Sequence, residues 1–445
     1  AGVAAGQFKM GCAYETGEGG LEADTAKSLS YFLQAAEQGH GEALCFLGDF
    51  YRIGLGKYIP LDKSQAFNYY TQAHENGEEI GTYYVGRSYL EGCGVEIDTA
   101  AAIPYLKAAA RQGIGNAAYR LGEFYNHGLG GLPADGDSAL YYYISGHQNG
   151  SGDASYVLGT LLVNEGNYST AVEYFYTGAT RGNLESSLAF AACMQNGIGI
   201  DPDPKAAYKI YEGLVNNTHD ARAYTQLGIA NLEGNGCPED MVLGHAYLDT
   251  AANMGNLLAM YNLGLCKLNG YGCRVDTSAA IFWLEKAADE ESAKAINELG
   301  DVYEAQGDFA NAVLYYEKAV AMGDLNGYCN LGYCYEQGTG VVLNSQKAFE
   351  LYKHAADNGS TRGCMCVANC YLNGTYVEEN VAEALAWFTK AAESGNVLAM
   401  YYCGNILENG ADGVKADTKK AREWYKKAAT TGYDPAAAAL SRMGK

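Results

Sequence analysis

The chain has 445 residues, 48% of them hydrophobic, with 30 Lys and Arg against 52 Asp and Glu, a net charge of −22. That apolar content is ample for a core and excludes a disordered chain. The acid excess argues against binding nucleic acid or anionic membrane through charge, and no apolar run approaches the roughly 18 residues of a membrane span.

The chain holds 57 Gly and 38 Tyr but only 7 Pro. Glycine placed this often, with so little proline, points to punctuation on a period. An anchor glycine, usually after an apolar residue, stands at Gly11, Gly48, Gly86, Gly122, Gly159, Gly228, Gly264, Gly300, Gly332 and Gly404, with Ala191 and Ala368 in the same register. The intervals run from 36 to 38 residues, except for two of 32 that follow Gly159 and Gly300. The pattern predicts twelve helix pairs stacked into one core, in place of the several domains that length alone suggests.

In each repeat the first helix carries the anchor, and often a Tyr three residues later, as at Tyr14, Tyr51, Tyr89, Tyr125, Tyr303, Tyr335 and Tyr371. Glycine ends it, since only glycine enters the left-handed conformation cheaply. A Gly-x-Gly turn follows in eight repeats, as in Gly92-Cys93-Gly94 and Gly338-Thr339-Gly340. Asp24, Asp62, Asp98, Asp276, Asn344 and Asp417 are then expected to cap the second helix. The second helix has a large residue four positions before a small one, as in Tyr69/Ala73, Tyr142/Gly146, Tyr315/Ala319 and Trp387/Ala391, and all three tryptophans occupy this slot. That spacing predicts knob-and-gap packing between close helices. The fifth and ninth repeats lack the Gly-x-Gly turn and pass directly through Glu165-Gly166-Asn167 and Gln306-Gly307-Asp308.

The pattern Ala-x-x-x-Leu-Gly, Gly-x-Gly, Asp-x-x-x-Ala and Trp-x-x-x-Ala-Ala is clear at Ala259, Leu263, Gly264, Gly270, Gly272, Asp276, Ala280, Trp283, Ala287 and Ala288. It resembles the Sel1-like repeat, a relative of the tetratricopeptide repeat, over roughly residues 2 to 440. The resemblance implies an all-α, right-handed superhelical solenoid of about twelve helix-turn-helix repeats, with the fifth and ninth tetratricopeptide-like. Residues 1–445 are expected to form a single continuous array. Residues 433–445 open a further helix that would cap it or begin another repeat. The first helix begins at Ala1 without an initiator Met, so the native protein is expected to be longer.

There are 13 cysteines, and none lies in a predicted second helix. Secreted, cysteine-rich Sel1-like proteins staple the two helices of a repeat, which needs a cysteine in each. Cysteines in the same slot of neighbouring repeats, such as Cys334 and Cys370, should exceed the roughly 7 Å Cα limit of a disulfide. Most are therefore read as free thiols in a core, which favours a cytoplasmic, reducing compartment, with a lumenal or secreted one as the alternative. Cys364, Cys366 and Cys370, with Cys329, Cys334 and Cys403 in adjacent repeats, lack the paired Cys-x-x-Cys of a metal site and read as small core residues.

No phosphate loop, zinc-protease, serine-hydrolase or Ser-x-x-Lys motif is present, and the seven histidines are scattered. No enzyme, cofactor or metal is expected. By resemblance to tetratricopeptide arrays, the concave face is formed by positions three before the anchor and one, four and five after it. The first of these includes Tyr83, Tyr119, Tyr156, Asn297, Tyr261 and Tyr401, and the second includes Arg87, Glu123 and Asp301. Tyrosine offers rigid contact area, and the acids would favour a polar or basic partner. The same tyrosines could instead pack between adjacent first helices. The expected role is a non-enzymatic scaffold or adaptor that holds a protein or peptide in a larger complex, the alternative being a lumenal or secreted adaptor of a quality-control or host-contact complex. Lys415, Lys419, Lys420, Arg422, Lys426 and Lys427 form a second, basic patch.

Overall fold

The predicted caps close the predicted helices. In the computed structural model, which describes residues 2–444, Asp24, Asp62, Asp98, Asp276, Asn344 and Asp417 each accept a hydrogen bond from the backbone N–H three residues on. Such a bond satisfies one of the four N–H groups that a helix start leaves free, worth about 1 kcal/mol each.

The described residues contain 25 α-helices, and the chain divides into two compact bodies between Thr218 and His219. The first body pairs α1 (Gly2–Thr16) with α2 (Thr25–Glu37), α3 (Gly41–Ile53) with α4 (Lys63–Glu75), and α5 (Glu79–Glu91) with α6 (Thr99–Arg111). It continues with α7 (Gly115–His127) and α8 (Gly136–Gln148), α9 (Gly152–Asn164) and α10 (Tyr168–Thr180), and α11 (Leu184–Asn196) and α12 (Pro204–Thr218). The second body pairs α13 (Ala221–Glu233) with α14 (Met241–Asn253), α15 (Leu257–Asn269) with α16 (Thr277–Asp289), and α17 (Ala293–Ala305) with α18 (Phe309–Ala321). Then come α19 (Leu325–Gln337) with α20 (Ser345–Asp357), α21 (Thr361–Asn373) with α22 (Val381–Glu393), α23 (Val397–Asn409) with α24 (Thr418–Thr430), and the single helix α25 (Asp434–Met443). The last helix buries Ala436 and Ala439 in one cluster with Tyr425.

The large residue that meets the anchor glycine is the one after the predicted slot: Phe32, Tyr70, Tyr143, Phe175, Leu248, Leu284, Tyr316, Tyr352 and Tyr425. A Cβ added at the anchor would lie 2.3 Å from the Tyr70 ring at Gly48 and 2.4 Å from the Tyr316 ring at Gly300, so the helices close only over glycine. The predicted slot instead stacks on the Tyr three residues after the anchor. Ring centroids lie 5.7 Å apart for Tyr14–Tyr31, 5.5 Å for Tyr51–Tyr69, 5.5 Å for Tyr125–Tyr142 and 5.3 Å for Tyr303–Tyr315. Where the slot is Trp it takes a lysine, with Lys390 Nζ 3.8 Å from the Trp387 centroid and Lys427 Nζ 4.3 Å from Trp424. Adjacent helical positions differ by about 100° in direction, and two neighbouring large columns leave that choice to the partner helix. The small residue four on does mark a close approach, to the first helix of the next repeat: a Cβ at Gly81 would lie 2.6 Å from Ala73, and one at Gly327 2.7 Å from Ala319.

Candidate partner-binding surface

The nine predicted site residues fall on α5, α7, α9, α15, α17 and α23, and they differ in what they leave open. In the first body Tyr83 is a core residue, 8% exposed, in a cluster with Leu106 and Leu121. Arg87, one turn on, donates from Nε to Glu91 at 2.7 Å. Tyr119 is half-buried, its ring 6.2 Å from that of Tyr143 and beneath the Arg120 guanidinium at 5.5 Å. Glu123 accepts the Tyr143 hydroxyl at 2.5 Å. Tyr156 is half-buried beside Phe175, with centroids 6.0 Å apart.

In the second body the residues form a polar network. Tyr316 donates its hydroxyl to Asp301 at 2.6 Å and to Glu304 at 2.8 Å. Asn330 Nδ2 donates to Asp301 at 2.9 Å and to Asn297 Oδ1 at 3.0 Å. Asn297 is 7% exposed, so it orders this network rather than presenting an amide to solvent. Burial raises the carboxyls of Glu298 and Asp301 above their ordinary values, and for Glu298 the charge of Asp301 adds to it. Burial, then the neighbouring Glu298, pushes the Tyr261 hydroxyl up to about 12. Among the described residues neither Glu298 nor Asp301 forms an ion pair. Tyr401, half-buried, sits among Tyr402, Tyr425 and Tyr433, at centroid distances of 6.1, 5.7 and 5.6 Å.

The slot two residues after the anchor is buried, as expected, at Cys193, Cys266, Cys334 and Cys370. All 13 cysteines are thiols in this structure. Sequence reasoning missed one pairing between adjacent repeats: the Cys329 and Cys366 thiols interact, which draws Cys329 down and pushes Cys366 up. Among the described residues no group of three His, Cys, Asp or Glu is placed to hold a metal. Of the basic patch, all six side chains are exposed, and Lys420 lies 3.9 Å from Asp417. No described helix is long and apolar enough to cross a membrane.

Also missed are two cavities beside the trimmed loops. One, of about 630 Å³, lies among α7, α8, α9 and α10 and is lined by Leu140, Ile144, Leu161, Leu162, Glu123 and Glu165, among others. The other, of about 430 Å³, lies among α15, α16 and α17 and includes Asn269, Thr277, Glu298, Asp301 and Gln306. The two short intervals were the signal for both, but their consequence depends on what the missing loop would cover.

Comparison with known proteins agrees with this architecture. The Sel1 repeat model matches residues 4–40, 41–78, 80–114, 115–151, 186–212, 221–256, 257–292, 293–324, 326–360, 364–396 and 397–433. It passes over residues 152–185, the α9–α10 pair. Chitin synthase regulatory factor 3 of Schizosaccharomyces pombe is 34% identical over 122 residues, 27% of this chain and 13% of that protein. An uncharacterized Sel1-like repeat-containing protein of the same organism is 24% identical over 278 residues, 61% of this chain and 38% of the relative. The chain thus spans well under half the length of these two relatives. Among solved structures, c5321, a protective antigen present in uropathogenic Escherichia coli strains, displays an SLR fold and superposes with a TM-score of 0.61. It is 25% identical, with 94% of this chain and 90% of that one covered. With anchor glycines, helix pairs and eleven matched segments in register, the chain belongs to the Sel1 repeat family.

Proposed function

We propose that this protein is a non-enzymatic adaptor that holds a polar or basic segment of a partner protein against its first helices. The observation that carries the reading is the pair of half-buried carboxylates, Glu298 and Asp301, whose charge is partly desolvated and which, among the described residues, form no ion pair, the Arg362 charge only partly offsetting the burial of Asp301. A lysine or arginine from a partner would relieve that cost, and Coulomb attraction strengthens as water is excluded. In the second body Tyr261 lies beside the acids, Asn297 orders the network and Tyr401 supplies further ring surface; in the first body Tyr119 and Tyr156 supply ring surface, Arg87 and Glu123 supply charge, and Tyr83 lies beneath in the core. The relative named a chitin synthase regulatory factor is consistent with a role through a partner protein, and that name is a statement about the relative.

The test compares the chain with its Tyr119→Ala/Tyr156→Ala/Tyr261→Ala variant as baits in the source cell's lysate, with bound proteins identified by mass spectrometry. A protein retained by the first and lost from the folded variant supports the surface. Equal retention by both overturns it. We further infer a reducing compartment from the core placement of the cysteines. Close to 13 titratable thiols in denatured protein are expected, and few would favour a lumenal or secreted adaptor.

A further inference from the structure

In several repeats the loop between the two helices also serves the repeat before it. Its second glycine sits on the first turn of the preceding second helix. A Cβ there would lie 2.1 Å from the Lys63 carbonyl at Gly94 and 2.4 Å from the Tyr168 carbonyl at Gly199. In the second body the distances are 1.9 Å from the Met241 carbonyl at Gly272 and 2.3 Å from that of Phe309 at Gly340. The loop then lays an apolar residue on that helix. Leu132 packs on the cluster of Ile103 and Leu106, and Val341 on that of Val313 and Tyr316.

The α9–α10 pair has no such loop, and nothing lies within 4 Å of a Cβ at Gly166. The helix it would cover is α8. The position five residues after the cap is 9% exposed at Ile103, 6% at Val172 and 7% at Val313, but 43% at Leu140. Ile144 and Leu161 beside it are 39% and 40% exposed. A cavity of about 630 Å³ opens there, lined by Leu140, Ile144 and Leu161. Its lining includes Glu123 and Glu165 but no Lys or Arg, and Asp135 and Asp137 flank it at the start of α8.

We propose that this cavity is a docking site for a short extended segment of a partner protein, in which a Leu, Ile, Val or Phe lies next to Lys or Arg. The apolar side chain takes the place that Leu132 and Val341 fill in covered repeats, and the basic neighbours face the four carboxylates of the rim. The proposal rests on the adaptor reading only in taking a peptide as ligand. The residues that carry it are distinct from the four tyrosines, and Glu123 is the one residue shared with the adaptor surface.

The probe is a phage-displayed library of random 12-residue peptides, panned on the full chain, with selected peptides remeasured by fluorescence polarisation. Two variants close the site. Leu161→Lys places a cation in the mouth, and a loop graft replaces residues 165–167 by the sequence of residues 270–276. Leu161 is exposed enough for the substitution to leave the fold intact, and a melting curve checks both variants. Selected peptides are expected to pair a large apolar residue with Lys or Arg. They should lose at least about tenfold in affinity on either folded variant and several-fold in 0.5 M NaCl, and bind the Tyr119→Ala/Tyr156→Ala variant normally. Failure to select peptides, peptides lacking the pattern, or undiminished binding to Leu161→Lys would overturn the proposal. So would a concentration-dependent dimer in sedimentation that Leu161→Lys abolishes, since the occupant would then be a second copy. Loss of binding only in the tyrosine variant would leave the adaptor reading standing and remove this site.

Discussion

The α9–α10 and α17–α18 pairs share one deletion and expose different linings. Both cross between helices in three residues, and nothing lies within 4 Å of a Cβ at Gly166 or at Gly307. Both therefore leave the start of the preceding second helix uncovered. Beside the first pair the opening is apolar, because Val157 and Leu161 stand two before and two after the anchor. Beside the second it is acidic, because Glu298 stands two before the anchor and Asp301 one after. Loop length decides that a cavity exists. The side chains of the first helix decide what it can hold.

The sharpest test of loop cover is to truncate the same position with and without it. Ile103→Ala, under its loop, is expected to cost about 2–4 kcal/mol in urea unfolding, whereas Leu140→Ala should cost about 0.5 or less. Equal losses would mean that the missing loop is not what exposes Leu140. The anchor should matter equally in both short pairs. Gly159→Ala and Gly300→Ala would each drive a methyl into a ring, 2.5 Å from Phe175 and 2.4 Å from Tyr316, and each is expected to cost about 1–3 kcal/mol. A tolerated alanine in one pair would show that its helices can separate.

The pairs should part company at that ring. Phe175 has no hydroxyl, while Tyr316 donates to two carboxylates, so Tyr316→Phe is expected to cost about 1.5–2 kcal/mol at pH 7. A neutral outcome would mean that water replaces the hydroxyl.

The smallest effect concerns pH. A carboxyl whose folded pKa is raised binds more protons folded than unfolded, so stability falls as pH rises from the ordinary carboxylate value through the raised one. Burial and Asp301 place Glu298 in this class. Glu298→Gln should therefore gain about 0.5 kcal/mol at pH 7 and flatten the decline that begins above the ordinary carboxylate value. A less stable variant at pH 7 would mean that the hydrogen bond with Tyr261 outweighs the burial.

The helices were legible because their signals are local. Asp62 caps α4 by bonding three residues away, and Gly92 ends α5 in the left-handed conformation. Of the candidate surface, the half-buried setting of Tyr119, Tyr156, Tyr261 and Tyr401 is compatible with either face or packing, and the sequence left that choice open. Tyr83 and Asn297 sit deeper than a binding role needs, because neighbouring first helices close over them. Asn330, which ties Asn297 to Asp301, carried no signal, since its partners lie 29 and 33 residues away.

The sequence alone determined the family, the helix pairs, their caps and the two places where a loop is missing, because each is encoded within one repeat. Only the tertiary structure decided which of two adjacent large residues meets the anchor glycine. It also decided that the Cys329 and Cys366 thiols interact and that the short loops leave cavities of different lining. Each of these depends on how a repeat meets its neighbour, where a rotation of about 100° or three missing residues changes what is touched and leaves the periodicity unchanged.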